Sequence, residues 1–88
     1  MVPNGWGKLL SPFWGNKLYQ GNWKLGKKSG YGVEYYTLPK NSHVEYSGGF
    51  LDGKKEGLGN FWDLNGILRF RGFWKEDKLV GAEINDMR

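Results

Sequence analysis

The sequence predicts an all-β chain, built as a single-layer antiparallel meander of stacked β-hairpins with about six or seven short strands. Three stretches share one pattern, in which an aromatic residue is followed two positions later by Gly and then by a second aromatic. Tyr19, Tyr46 and Phe70 lead the three copies, at spacings of 27 and 24 residues. A period in this range is typical of repeat architectures. Apolar residues do not recur at helical spacing, and Gly is too frequent for helix interiors.

The composition favours one small folded domain with few chemical options. The chain has 88 residues, and its 15 glycines occur among 5 Trp, 5 Tyr and 5 Phe, a content of aromatics that argues against disorder. Cys is absent, which excludes disulfides and thiolate metal sites. The net charge of +4 is compatible with an acidic protein, an anionic lipid or a nucleic acid, and distinguishes none of them.

The N-terminal sequence MVPNGWGKLL has no apolar run long enough for a signal peptide, and no stretch approaches the length of a membrane span. We therefore expect an intracellular protein, in the cytoplasm or within a large assembly. The predicted single domain divides into a partial repeat and loop (1–16), a first repeat (17–43), a second repeat (44–67), a degraded terminal repeat (68–84) and a tail (85–88).

The first repeat divides into two predicted strands. Residues 17–25 alternate Tyr19, Gly21 and Trp23 on one face of an extended chain. Residues 26–29 are predicted to form the turn, because Gly26 tolerates positive φ. Residues 31–37 are predicted to form the second strand. The partial repeat at the start of the chain has, at residues 5–7, the same Gly-aromatic-Gly form as residues 30–32.

The second repeat follows the same scheme, with residues 53–56 as its predicted turn. Residues 63–66 make a tight connection that carries the Asn-Gly hairpin signal. The third repeat is degraded, since Asp77 replaces the turn glycine and the Gly-x-Gly ending becomes Gly81-Ala82-Glu83. We interpret it as a terminal unit on which no further unit stacks.

Alternating glycines such as Gly30 and Gly32 leave one face of the second strand bare. A large ring from the first strand can cover that backbone, and this buries the ring without a second layer. The aromatic positions of the repeat are thus either the core of the sheet or a groove for a peptide.

The unit Y-x-G-x-W-x-x-G-K-x-x-G-x-G resembles the MORN repeat (membrane occupation and recognition nexus). The matching positions of the first copy are Tyr19, Gly21, Trp23, Gly26, Lys27, Gly30 and Gly32; those of the second are Tyr46, Gly48, Phe50, Gly53, Lys54, Gly57 and Gly59; and those of the last are Phe70, Gly72, Trp74, Lys78 and Gly81. The resemblance implies stacked hairpins in one twisted sheet. It also implies a scaffold that binds proteins or acidic lipids through a groove or an edge.

The residues carry no catalytic constellation and imply no cofactor. His43 is the only histidine, and neither a second metal ligand nor a nucleophile with an oriented base accompanies it. Carboxylates such as Asp52 and Glu56 flank a solvated turn, where nothing would raise a pKa for acid–base chemistry. We therefore predict a non-enzymatic protein without a metal site.

Two surfaces are candidate binding sites. Aromatic residues outside the periodic positions, or on the opposite strand face, are candidate anchors for a protein partner: Phe13, Trp14, Trp62 and Phe73. For Phe13 and Trp14 the alternative is a lid that folds back over the first hairpin. Lysines of the turns would form a basic stripe for anionic lipid, or would merely keep the turns solvated: Lys27, Lys28, Lys54, Lys55 and Lys78.

We predict a protein-interaction scaffold that serves as a small subunit of a larger assembly, or as a homo-oligomer paired through exposed strand edges. The alternative is a peripheral module that binds acidic phospholipids such as phosphoinositides through the Lys-rich turns. The modest charge and the packing role of the aromatics disfavour nucleic acid as a partner.

Overall fold

The computed structural model describes residues 4–12, 17–36 and 43–84, and these form one antiparallel sheet. Its strands follow the chain in order: β1 (Gly5–Leu10), β2 (Lys17–Lys24), β3 (Lys27–Tyr35), β4 (Val44–Leu51), β5 (Lys54–Trp62), β6 (Leu68–Lys75) and β7 (Lys78–Ile84). The described residues contain no helix. The smallest dimension, 15 Å, is that of a single layer. The predicted meander of hairpins is therefore confirmed.

The three repeat hairpins close with two-residue turns in which both residues have positive φ. These are Leu25–Gly26 (52° and 80°), Asp52–Gly53 (51° and 85°) and Glu76–Asp77 (49° and 70°). This is type I′ geometry, whose twist matches that of the flanking strands. The four-residue turns predicted at 26–29 and 53–56 are therefore wrong. The lysines assigned to them belong to β3 and β5, and successive lysines point to opposite faces of the sheet.

Successive turns lie side by side along one edge of the stack. The Gly53 amide donates to the Lys28 carbonyl (2.9 Å), and the Asp77 amide donates to the Lys55 carbonyl (3.1 Å). The Asp77 carboxylate also accepts from the Lys55 amide at 2.8 Å. These bonds tie each hairpin turn to the preceding hairpin, so equivalent side chains of the repeat come into register.

We call the side of the sheet that carries the repeat aromatics the repeat face, and the opposite side the second face. The core lies on the repeat face, where Tyr19 and Tyr46 are fully buried and Phe50 and Trp74 nearly so. The distances between neighbouring ring centroids are 5.2 Å (Tyr19 and Phe50), 5.2 Å (Phe50 and Tyr46) and 5.3 Å (Tyr46 and Trp74). Each of the first two repeats thus packs on the aromatic residue of the next one.

Two glycines allow this stacking, because a Cβ at Gly32 would overlap the Tyr19 ring and a Cβ at Gly59 would overlap the Tyr46 ring. Each tyrosine hydroxyl passes over its glycine and donates to a backbone carbonyl three residues along its own strand. The Tyr19 bond to the Asn22 carbonyl is 2.8 Å, and the Tyr46 bond is 3.0 Å. The expected covering of glycine by a ring is therefore present in both complete repeats.

Burial of these tyrosines predicts a loss of stability at alkaline pH. Burial and the nearby Glu34 carboxylate raise the pKa of Tyr19 to about 12, and the same causes raise the pKa of Tyr46. The folded protein therefore holds protons that the unfolded chain releases from pH 10 upward, so the stabilisation is complete below pH 10 and is lost as pH rises through 12.

We expect the free energy of unfolding, measured by urea titration, to be level between pH 8 and 9.5 and to fall above pH 10. A variant with Tyr19→Phe and Tyr46→Phe should start less stable by about 1–3 kcal/mol, because two hydrogen bonds are lost. Its stability should then decline less steeply with pH than that of the parent. Equal slopes for the two proteins would contradict the assignment to tyrosine.

Candidate interaction surfaces

Two lysines of the predicted basic stripe, Lys28 and Lys55, cover the core instead of facing solvent. Each lies on the repeat face, with its Nζ 5.2 Å from the Tyr19 ring centroid and 5.3 Å from the Tyr46 ring centroid, respectively. Both pair with Glu34, at 2.7 Å from Lys28 and 3.3 Å from Lys55. These cations are therefore engaged by rings and by a carboxylate within the fold.

The other stripe residues, Lys27, Lys54 and Lys78, are exposed near the turns. A groove along that edge is lined by both signs of charge: Lys27, Lys54 and Lys75 with Asp52, Glu56 and Glu76. Interleaved carboxylates weaken the attraction for an anionic surface. The structure thus separates the five lysines of the predicted lipid site into three that are exposed near the turns and two that pack on the aromatic core.

Two carboxylates have shifted pKa values, and each shift has a structural cause. Burial raises the pKa of Glu45, an effect that the Lys55 charge partly offsets. The pKa of Asp63 is lowered, chiefly by the Ile67 amide that donates to it, and also by Arg69 and the Asn65 amide. Asp63 thereby closes the connection between β5 and β6.

The second face carries a row of exposed apolar side chains, which we call the second-face row. Its members and their exposed fractions are Trp6 (60%), Tyr31 (52%), Leu58 (59%) and Phe73 (50%). Trp6 lies on β1, Tyr31 on β3, and Leu58 on β5 directly opposite Phe73 on β6. The row therefore crosses the sheet at right angles to the strands, and a cluster of exposed apolar side chains on one face is typical of interaction sites.

The repeat itself generates this row. Trp6, Tyr31 and Leu58 are the middle residues of the three Gly-x-Gly segments, and in a strand a middle residue points away from the face on which its neighbours lie. The glycines serve the core on the repeat face, so the residue between them faces solvent. Sequence reasoning overlooked these three residues as a site, although the Gly-x-Gly spacing carried the signal.

A groove runs beside the second-face row. One part, of about 440 Å³, is lined by Tyr31, Tyr35 and Trp62, and a second part, of about 430 Å³, by Tyr31, Leu58 and Arg71. Tyr31 and Ser47 line both parts, so they form one trough. Volumes of this size lie in the range of ligand pockets.

Of the predicted partner anchors, the structure places Trp62 in the trough and Phe73 in the second-face row. Both lie on the face opposite the repeat aromatics, as expected. Phe13 and Trp14 lie outside the described residues. His43 lies at the end of the trough, where its backbone carbonyl accepts a hydrogen bond from the Tyr36 amide (2.8 Å).

Within the described ranges, no group of three or more His, Cys, Asp or Glu side chains could hold a metal ion. Over the same residues the structure has no helix of the length and apolarity that crossing a bilayer requires.

Comparison with known proteins agrees with this geometry. The family model of the MORN repeat matches residues 19–37 and 46–66, which lie within the two complete repeats. No curated protein gives a significant match to the chain. MORN repeats serve as protein- or membrane-interaction modules, and the proteins that contain them are generally non-enzymatic scaffolds. Two family matches in tandem, on a sheet of stacked hairpins with ring-covered glycines, identify the chain as a member of the MORN repeat family.

Proposed function

We propose that this protein is a non-enzymatic scaffold that binds a protein partner on its second face and serves as a subunit of a larger assembly. The observation that carries the proposal is the second-face row of Trp6, Tyr31, Leu58 and Phe73, each at least half exposed. Aromatic side chains dominate the energetics of protein interfaces. Three of these four residues are aromatic, and the trough beside them adds Trp62.

Spacing and chemistry along the row fit a polypeptide. The first three members occupy alternate strands, and strands lie about 4.8 Å apart, so these anchors are about 10 Å from one another. An apolar polypeptide segment crossing the strands can place side chains at that interval. Asn60 and Arg71 lie beside Leu58 and Phe73 on the same two strands, and the Arg71 Nε donates to the Asn60 Oδ1 at 3.0 Å. This polar pair lines the trough and resembles the polar rim of protein interfaces.

A double variant of the row tests the proposal. Tyr31→Ser with Leu58→Ser removes two exposed anchors, and because neither is buried we expect a nearly unchanged free energy of unfolding. A partner would be captured by the parent protein, identified by mass spectrometry, purified and measured by calorimetry. We expect its affinity for the variant to be at least about tenfold weaker, since truncation of two hot-spot residues exceeds 1.4 kcal/mol.

The matched control is Leu51→Ser with Leu64→Ser, which removes two side chains of similar exposure, 54% and 55%, away from the row. The control should bind like the parent. Equal weakening by both variants would contradict the proposed surface. A stable monomer that captures no partner in pulldowns would contradict the proposed subunit role.

Binding of acidic lipid is the alternative function, and a flotation experiment distinguishes it from protein binding. In flotation with phosphoinositide vesicles, a Lys27→Glu and Lys54→Glu variant leaves the core-covering Lys28 and Lys55 in place. Flotation of the parent that is lost in this variant, and kept in the second-face variant, would favour the lipid function over the protein function.

A further inference from the structure

The trough on the second face lies over β4, because the side chains that β4 places there are small. Ser47 and Gly49 line its floor, while Tyr31 of β3, which is opposite Gly49, and Leu58 of β5 line its walls. A Cβ at Gly49 would overlap the carbonyl oxygen of Glu56, so the backbone at this position requires glycine. The second-face row is therefore interrupted between Tyr31 and Leu58 by a hollow whose floor has no large side chain.

The trough combines apolar walls with a permanent positive charge. Among the described residues that line it, none is Asp or Glu, and Arg71 is always protonated. The repeat face differs, since its lysines Lys28 and Lys55 both pair with Glu34. A ligand in the trough therefore meets a cation that the described lining does not neutralise.

Asn60 positions this cation on the second face. The Arg71 Nε donates to the Asn60 Oδ1 at 3.0 Å, across the pairing of β5 with β6. This bond uses one donor of the guanidinium and leaves its two terminal amino groups for a ligand. Arg69, two residues earlier on the same strand, pairs with Asp63 at 2.8 Å, whereas none of the ion pairs among the described residues includes Arg71. Arg71 is thus oriented by a neutral amide and keeps its charge.

The number of cations decides which class of anion fits. Membranes and nucleic acids present many phosphates, and proteins bind them with several cations together. The described lining of the trough offers Arg71 beside apolar side chains, a combination that suits one carboxylate next to an apolar group. An acidic polypeptide segment supplies both, and a guanidinium donates two parallel hydrogen bonds to a carboxylate.

We propose that the trough binds an acidic segment of a partner polypeptide, which specifies the partner of the proposed function and rests on it. A bulky apolar side chain of the segment lies over Gly49, between Tyr31 and Leu58, and fills the gap in the second-face row. A carboxylate of the same segment accepts hydrogen bonds from Arg71. Since strands lie about 4.8 Å apart, Arg71 on β6 is about 10 Å from Gly49 on β4. The acidic residue is therefore expected about three positions from the apolar one in an extended segment.

Selection of displayed random peptides on the full protein tests this proposal. We expect the enriched peptides to carry Asp or Glu about three positions from Trp, Phe or Leu. The best binder would then be synthesised and its affinity measured by calorimetry. Its affinity should fall with rising salt. Replacing its acidic residue by the corresponding amide should weaken binding at least about tenfold, because hydrogen bonds to charged groups are the strong ones.

Variants of the protein locate the carboxylate and the apolar side chain. Arg71→Gln should bind the peptide at least about tenfold more weakly. Its matched control is Lys8→Gln, which removes the same charge from an exposed residue on the same face as Trp6, outside the trough, and should bind like the parent. Ser47→Leu raises the floor of the trough and should also weaken binding at least about tenfold. Circular dichroism would establish that all three variants fold.

A charge exchange separates direct pairing from a structural role of Arg71. Arg71→Glu should lose binding to the acidic peptide and should bind a peptide whose acidic residue is replaced by Lys. A failure of this exchange, equal weakening by Arg71→Gln and Lys8→Gln, enrichment without acidic residues, or no enrichment would each overturn the proposal.

The proposed function is judged by a different variant. Selected peptides that lose affinity for Tyr31→Ser with Leu58→Ser, but not for Arg71→Gln, would overturn the acidic segment and leave the second face as the binding surface. Peptides that bind both variants like the parent would overturn the acidic segment and also count against that surface.

Discussion

Gly59→Ala is expected to destabilise the protein strongly, although it adds only one methyl group. The new Cβ would overlap the hydroxyl and ring of Tyr46, and Tyr46 is fully buried between Phe50 and Trp74. Either the tyrosine leaves the core or the strands separate. Overpacking of a core costs about 1–3 kcal/mol, and partial loss of the buried ring adds to it, so we expect a loss of about 3–5 kcal/mol.

A domain of this size has a total stability of about 5–10 kcal/mol, so Gly59→Ala should lower its melting temperature by about 15 °C or more. The measurement is thermal unfolding followed by circular dichroism. Gly81→Ala is the matched control, because its Cβ would meet only the Phe73 ring, at an ordinary 3.9 Å. We expect the control to stay within about 0.5 kcal/mol of the parent. Similar losses in both variants would contradict a specific clash.

The terminal repeat supports this account from within the sequence. Ala82 stands opposite Gly72, at the position that Gly32 and Gly59 hold in the complete repeats. In that same repeat, Phe70 replaces the tyrosine; it is only partly buried, and its ring packs on Phe61 at 6.0 Å between centroids. The alanine thus occurs in the repeat whose leading aromatic residue is not fully buried, whereas both fully buried tyrosines lie over glycine.

The sheet was predictable because its determinants repeat. Tyr19 and Tyr46 sit at the same spacing from their glycines, and each instance of the pattern strengthens the interpretation of the other. The turns were less predictable, because Leu25 at a φ of 52° adopts a conformation that side chains rarely take. Asp52-Gly53 carries the Asp-Gly signal of a type I′ turn, whereas Leu25-Gly26 and Glu76-Asp77 do not.

The candidate surfaces were predictable only in part. Phe73 was recognised because it falls between two repeat aromatics of its strand, and the structure places it on the second face. The positions of Lys28 and Lys55 depended on where each turn ended, and a shift of one residue exchanges the faces of a strand.

Tyr46→Ala is the second change for which we expect a large loss. The fully buried ring contacts Phe50 and Trp74, lies beneath the Lys55 cation and donates to the Gly49 carbonyl. Truncation of a buried aromatic residue costs about 3–5 kcal/mol. The free energy of unfolding of Tyr46→Ala, measured by urea titration, should therefore be close to zero or below it. Tyr46→Phe keeps the ring and should lose only about 1 kcal/mol.

Tyr31→Ala is the informative comparison, because it removes the same atoms from the second face, where the residue is 52% exposed. We expect it to change the free energy of unfolding by about 1 kcal/mol or less. Two tyrosines 15 positions apart would then differ by several kcal/mol in stability. Comparable losses would mean that the second face belongs to the core. A small loss at Tyr31 would leave its side chain available to a partner, since the sheet does not need it to fold.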